Sequence, residues 1–374
     1  MRVTASSSDT LPAMEGRQAA EGSANDFAAL AMASAHGDWS PIDRLLDLVR
    51  RSSLPAPVIY ALIALAFLAV EVAVKVLDGT FPDGFRLIHV LLPIYAMAVL
   101  PAADSFQRIG ARSVSTARPL LALNDEDVRG YRRRMLTMPA ASATGAGIAG
   151  VVALTVLTIL QPPDTYAVLG TMTSPLTAAV EWLWLVLVWF GVGTTTFLIV
   201  RQMAFVWQLT TRHTRIELFS LGPIYAFSRL TAAHALFTAA AVVVASLALS
   251  RLAGTLQWAA FAGAALLLAG TAFVVPLWGA RRLIAHEKRR GEDGLGRTID
   301  AVVSQLRDRI DRAELAGIED LNTALEGLIL AREQIRAVSA WPWRPETLRG
   351  VVSALLAPLA IWFVTQLLET VLPA

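Results

Sequence analysis

Apolar residues in this chain are gathered into long runs separated by polar, charge-bearing segments. A helix needs about 20 largely apolar residues to cross a bilayer. Seven runs meet or approach that length: 57–77, 87–103, 141–160, 178–200, 231–250, 256–278 and 350–372. The second is short and carries Pro93 near its centre. Its hydropathy alone leaves open a buried or re-entrant helix.

The polar segments predict elements of their own. Residues 41–52 place Ile42, Leu45, Leu46 and Val49 at helical spacing, with Ser40 as N-cap and Pro41 at the first helical position. This predicts an amphipathic interfacial helix over 41–54, with Arg50 and Arg51 at the lipid headgroups. Residues 1–40, rich in Ala, Ser, Gly and Asp, read as a disordered tail. No apolar stretch follows the first Met, so the tail does not resemble a cleaved signal peptide. In 104–140, Asn124 precedes Asp125, Glu126 and Asp127, an acidic first turn that suits a capped helix. Span four meets no helix breaker until Gly222-Pro223. It is expected to run on for about twelve residues, or about 18 Å at 1.5 Å per residue.

Segment 279–349 carries 13 basic and 12 acidic residues, a mixture that suits solvated helices. Ile299, Val302, Val303, Leu306 and Ile310 share one helical face, and Ile318, Leu321, Leu325, Leu328 and Ile335 share another. A hairpin turning near Gly317 is preferred over one long helix, and residues 291–296 (GEDGLG) predict a break before it. The expected organisation is a tail over 1–40, the interfacial helix over 41–54 and a six-helix membrane region over 55–278. That region includes cytoplasmic loops 104–140 and 201–230. A cytoplasmic hairpin over 279–349 and a seventh membrane helix over 350–374 complete the chain. The fold class is therefore an all-α polytopic membrane protein with seven transmembrane helices and extended cytoplasmic helices.

Charge adds orientation. Cytoplasmic segments collect Lys and Arg. With seven spans, residues 1–56, 104–140, 201–230 and 279–349 share one side and carry 5, 7, 4 and 13 basic residues, or 29 of 32. The N-terminus is thus expected in the cytoplasm and the C-terminus outside, in the cell inner (plasma) membrane. Without the second span, basic loops would fall on both sides, so the charge count supports it.

Composition narrows the chemistry. The chain has 374 residues, 55% hydrophobic and 17% charged, with mean hydropathy +0.54. That argues against a soluble enzyme. With no Cys, thiolate metal sites, thiol catalysis and disulfides are excluded. A net charge of +2 gives no general field for nucleic acid. No P-loop, GxSxG or HExxH motif is present. His213 and Glu217 are four residues apart but lack a third ligand. The expectation is a non-enzyme with no catalytic residues, no cofactor and no metal site.

Ionisable residues within spans are costly and mark candidate sites. Glu71 and Lys75 stand at i and i+4 near the outer end of span one. They are expected to form an intramembrane ion pair, either a purely structural couple or part of an ion pathway. Glu181, near the outer start of span four, is expected to reach the headgroups, and His89 and His234 to be hydrogen-bonded structural residues. In span seven, Ser353, Thr365, Gln366 and Glu369 are candidates for a pore lining or for a polar face packed on neighbouring spans. Gly145, Gly147, Gly150, Gly191 and Gly193 permit close helix approach. Trp182, Trp184, Trp341 and Trp343 fit interfacial belts.

The run Trp341-Pro342-Trp343-Arg344-Pro345-Glu346-Thr347-Leu348-Arg349, leading into SALLAPLAIW, resembles the C-terminal signature of a family of uncharacterised prokaryotic multi-pass membrane proteins. The stretch GPIYAFSRLTA from Gly222 is similar to a second pattern of that family. The resemblance implies a bacterial membrane protein and supplies no site roles. Physically, Trp341, Trp343, Arg344 and Arg349 suit an anchor at the inner interface. In layout alone the chain resembles the seven-transmembrane ion channels that include insect odorant and gustatory receptors. That resemblance implies a homo-oligomer, tetrameric if channel-like, joined by cytoplasmic helices, with the last span lining the pore. The leading expectation is accordingly an ion-channel-like or ligand-gated homo-oligomer in the lipid bilayer, its ligand unassigned. The alternatives are a non-conducting scaffold or sensor for a cytosolic partner and, third, a secondary transporter.

Overall fold

The computed structural model describes residues 39–82, 85–160, 174–248, 256–312, 314 and 316–371. Among these, the secondary structure is helical, with two isolated β-bridges and no strand. In chain order the helices are α1 (Pro41–Arg51), α2 (Ala56–Leu77), α3 (Leu87–Ala117), α4 (Asp125–Leu136), α5 (Ala140–Leu160) and α6 (Pro175–Arg212). They continue with α7 (Tyr225–Ala248), α8 (Leu256–Val274), α9 (Trp278–Asp311), α10 (Ile318–Ala337) and α11 (Pro345–Val371). Among the described residues, seven helices are long and apolar enough to cross a membrane: α2, α3, α5, α6, α7, α8 with its continuation α9, and α11. Large apolar side chains stand exposed along α2, including Leu62, Leu65 and Val70, and along α11, including Leu356, Leu359 and Phe363. Such stripes are costly in water and suit a lipid surface. The chain is a multi-pass membrane protein.

The helices fall into two compact units. The first comprises Met1–Gln107 and Arg132–Leu198. In it, α1 starts as its sequence dictates. The Ser40 hydroxyl accepts the Asp43 N–H at 3.1 Å, and Pro41 needs no N–H partner. Ile42, Leu46 and Val49 are buried, whereas Leu45, expected on the same face, is exposed. A polar network fixes the helix. One Asp43 carboxylate oxygen accepts the Gln107 amide at 2.6 Å, and the other accepts the Met138 N–H at 2.7 Å. Burial pushes the Asp43 carboxyl up from its ordinary value, against these hydrogen bonds, which hold it down. Arg50, expected at the headgroups, turns to Asp104 (2.7 Å) and to the Gln107 side-chain oxygen (2.8 Å). A guanidinium gains more from a fixed, half-desolvated carboxylate than from a mobile surface.

Helices α5 and α6 approach at backbone distance. A Cβ placed on Gly150 would lie 2.1 Å from the Trp189 carbonyl oxygen, and one on Gly193 would lie 2.1 Å from the Ala146 oxygen. Gly147 faces the Phe190 ring and Gly191 faces Val99 at similarly short range, but Gly145 has open space. Four of the five expected glycines therefore sit in close contacts.

The second unit comprises Arg108–Tyr131 and Ile199–Ala374. Helix α7 packs on α8 and on α11, and α9 packs on α10. Leu120, Leu221, Ile224, Ala280 and Ile284 form a buried cluster. Asn124 caps α4 through the Asp127 N–H at 2.8 Å. Helix α3 does not end with its apolar run at 103. It continues to Ala117, because Phe106, Ala111 and Val114 are buried along the extension. Residues 291–296 are helical within α9, so the expected break is absent there. Gly291 lies under Ile335 of α10, where an added Cβ would stand 3.1 Å from Ile335 Cδ1, so tertiary packing outweighs the low helix propensity of glycine. The α9–α10 connection ends at Gly317, whose φ of +78° is the left-handed conformation that glycine adopts without penalty. His213 and Glu217 lie beyond the end of α6 and share no helix face.

Candidate functional site

The sequence of α2 sets the site. Glu71 and Lys75 are one turn apart on a helix that is otherwise apolar, so they share a face. That face turns inward, and both side chains are 1% exposed. From the first turn of α3 comes His89, 2% exposed, and from the second turn of α6 comes Glu181, 3% exposed. The end of α2 and the starts of α3 and α6 thus bring two carboxylates, an amine and an imidazole into one buried cluster within the first unit.

The expected Glu71–Lys75 couple is opened into a wider network. Lys75 Nζ donates to Glu181 Oε1 at 2.8 Å. Glu71 Oε2 accepts the indole N–H of Trp184 at 2.9 Å. Glu181 is directed inward, not to headgroups, because a buried ammonium needs a close carboxylate. Trp184 likewise donates inward and packs on Phe67 at 4.8 Å between ring centres. Below the cluster, Asp78 at the end of α2 accepts the hydroxyls of Ser174 and Thr177 at the start of α6.

Two atoms in the cluster are left without a hydrogen bond: Glu71 Oε1 and His89 Nε2. The donor atoms of Glu71, His89 and Glu181 lie within 4.8 Å of one another. The imidazole tautomer decides what this arrangement can hold. His89 Nδ1 accepts the Arg86 backbone N–H at 2.9 Å, so the ring proton resides on Nε2. Nε2, 3.5 Å from Glu181 Oε1, therefore turns an N–H toward the carboxylates and no lone pair. The cluster is built around protons and an ammonium; a metal ion would need the imidazole to exchange its tautomer and give up the Arg86 bond.

The other sequence candidates are dispersed. On α11, Ser353 is exposed, and the side chains of Thr365, Gln366 and Glu369 lie outside the described residues. Trp341 is 43% exposed and Trp343 only 4%. Arg281 stands 4.0 Å from the Trp341 ring centre and 4.6 Å from that of Trp278, sandwiched between two π faces. Trp343 packs on Phe273 at 5.1 Å between ring centres. Arg344 covers the Tyr225 ring at 5.6 Å, and Arg349 is exposed.

Sequence reasoning found the α2 pair and missed that His89 and Glu181 join it. One signal was present: with seven spans, the end of the first and the starts of the second and fourth all lie at one membrane face. In comparisons with known protein families, curated proteins and solved structures, nothing matched this chain.

Proposed function

We propose that the protein handles ions. It is a homo-oligomeric, channel-like protein of the inner membrane, with a cytoplasmic N-terminus, an external C-terminus and subunits joined through α9 and α10. The cluster of Glu71, Lys75, His89 and Glu181 carries this reading. Four ionisable groups buried among apolar helices are expensive to keep, and such groups recur where ions or protons move. In the orientation favoured by the basic-residue count, the cluster occupies the outer half of the membrane.

The test is ion flux. Purified protein in liposomes is expected to pass current or dissipate an ion gradient, and Glu181→Gln or Lys75→Gln to alter it. Folded wild-type protein that leaves liposomes ion-tight, or that is strictly monomeric in detergent and in lipid, overturns the proposal. A second reading, a scaffold or sensor for a cytosolic partner, draws on one observation. Val303 and Ile310 of α9 and Ile329 and Leu330 of α10 are 42–57% exposed. Crosslinked recovery of a single cytosolic protein, lost when 298–337 is deleted from an ion-tight protein, would favour it.

A further inference from the structure

We propose that Glu71 is the proton-binding residue of the buried cluster and that its ionisation competes with Glu181 for the Lys75 ammonium. The inference rests on the ion-handling reading and names the ion as the proton.

Charge balance is the starting point. Lys75 and Glu181 neutralise each other at 2.8 Å. The His89 tautomer fixed by the Arg86 N–H makes that ring neutral. Glu71 is the remaining carboxyl, and its one hydrogen bond comes from the uncharged Trp184 indole, at Oε2. Its Oε1 is buried and has no hydrogen bond, and one carboxylate oxygen of Glu71 lies within 4.8 Å of ring and carboxylate atoms of His89 and Glu181. A carboxylate desolvated to this degree without its own cation costs several kcal/mol, more than the neutral carboxylic acid costs there. Oε1 therefore carries the proton.

The groups facing Glu71 then define what happens when the proton leaves. Lys75 comes from its own helix, His89 from α3, and Glu181 with Trp184 from α6. Proton release breaks the Glu71 Oε1–H bond, passes the proton to a water molecule and leaves its electron pair on the carboxylate. The new charge can be answered by the Lys75 ammonium, one helical turn away, and by the His89 Nε2–H. Each move of Lys75 toward Glu71 loosens its bond to Glu181. Because that bond ties α2 to α6, proton release at Glu71 is converted into loosening between two membrane helices. Rebinding of a proton from hydronium reverses the exchange. Binding energy at one carboxyl thus biases two arrangements of the same helices, which is the requirement for coupling.

Infrared difference spectroscopy on the full-length protein in lipid tests this directly. Between acid and alkaline pH, a buried carboxylic-acid C=O band is expected that shifts in D2O, disappears in Glu71→Gln and persists in Glu181→Gln. A hydrophobic carbodiimide, which attacks protonated carboxyls in apolar surroundings, provides a measurement on unaltered protein. Mapped by mass spectrometry, its adduct is expected on Glu71 several-fold above Glu181. Absence of the band, its survival in Glu71→Gln, or labelling of Glu181 in preference to Glu71 overturns the assignment. Should Glu71→Gln fail to fold, the carbodiimide map decides. An ion-conducting protein without a protonated Glu71 refutes this inference alone. A protonated Glu71 in an ion-tight protein refutes the proposed function alone.

Discussion

Replacement of Gly150 by alanine introduces a methyl group where α5 and α6 touch. The added Cβ would lie 2.1 Å from the Trp189 carbonyl oxygen, 3.0 Å from its carbon and 3.2 Å from the Gly193 nitrogen. All three are backbone atoms, so no rotamer change relieves the clash and the helices must part. Restoring ordinary contact needs a displacement of about 1 Å, which forfeits a quarter to a half of each pairwise dispersion well of about 0.1–0.2 kcal/mol. Over the ~40 atom pairs that one buried side chain alone makes, the loss is about 1–4 kcal/mol. Gly145 supplies the control, since its Cβ would meet nothing within 4 Å. There the substitution should stabilise, by up to about 1 kcal/mol, through helix propensity. Thermal unfolding in one detergent, with each variant beside the wild type, measures both. Gly150→Ala should fall clearly below wild type and Gly145→Ala should match or exceed it. Equal midpoints for the two variants would refute the close-approach reasoning.

Other expectations follow from the same packing. Lys75→Met leaves Glu181 buried beside no ammonium and should cost about 3–5 kcal/mol, while the double replacement Lys75→Met with Glu181→Met should recover most of it; chemical unfolding of the three proteins gives the coupling. Burial raises the Asp43 carboxyl, so the folded protein holds that proton more tightly than the unfolded chain. Its stabilising contribution is full below the ordinary value of 3.8 and is lost as pH rises to the folded value. Asp43→Asn should therefore flatten the decline in unfolding midpoint over that window, and an unchanged pH slope would contradict it. Gly317→Ala places a Cβ at φ +78° and 2.6 Å from Arg309 Nη1. It should loosen the α9–α10 turn by about 1–2 kcal/mol, seen as faster amide exchange over 309–320.

What the sequence reveals and what it conceals divide along physical lines. Spans are legible because desolvation of a helix in lipid is a local requirement, met or failed within about 20 residues. Pro93 did not end α3, since a proline kink is tolerated when neighbours satisfy the freed carbonyl. Helix ends were less legible. The extension of α3 past 103 follows burial of Phe106, Ala111 and Val114, and at Gly291 the continuity of α9 is accompanied by packing of Ile335 from α10. In the cluster, the spacing of Glu71 and Lys75 on one face is a property of a single helix and was readable. The capture of Lys75 by Glu181 joins residues 106 positions apart, for which no spacing rule exists. The inward turn of Arg50 to Asp104 is of the same kind, joining residues 54 apart.

The separation between Lys75 and Glu181 also sets an order of events during synthesis. When α2 enters the membrane, the carboxylate that will hold Lys75 has yet to leave the ribosome, 106 residues behind. An unpaired ammonium in a nascent span costs up to about 3 kcal/mol on insertion scales. Glu71, one turn back on the same helix, is the carboxylate already at hand. In the folded protein the partner of Lys75 is Glu181, at 2.8 Å, and that bond can form only once α6 has been made.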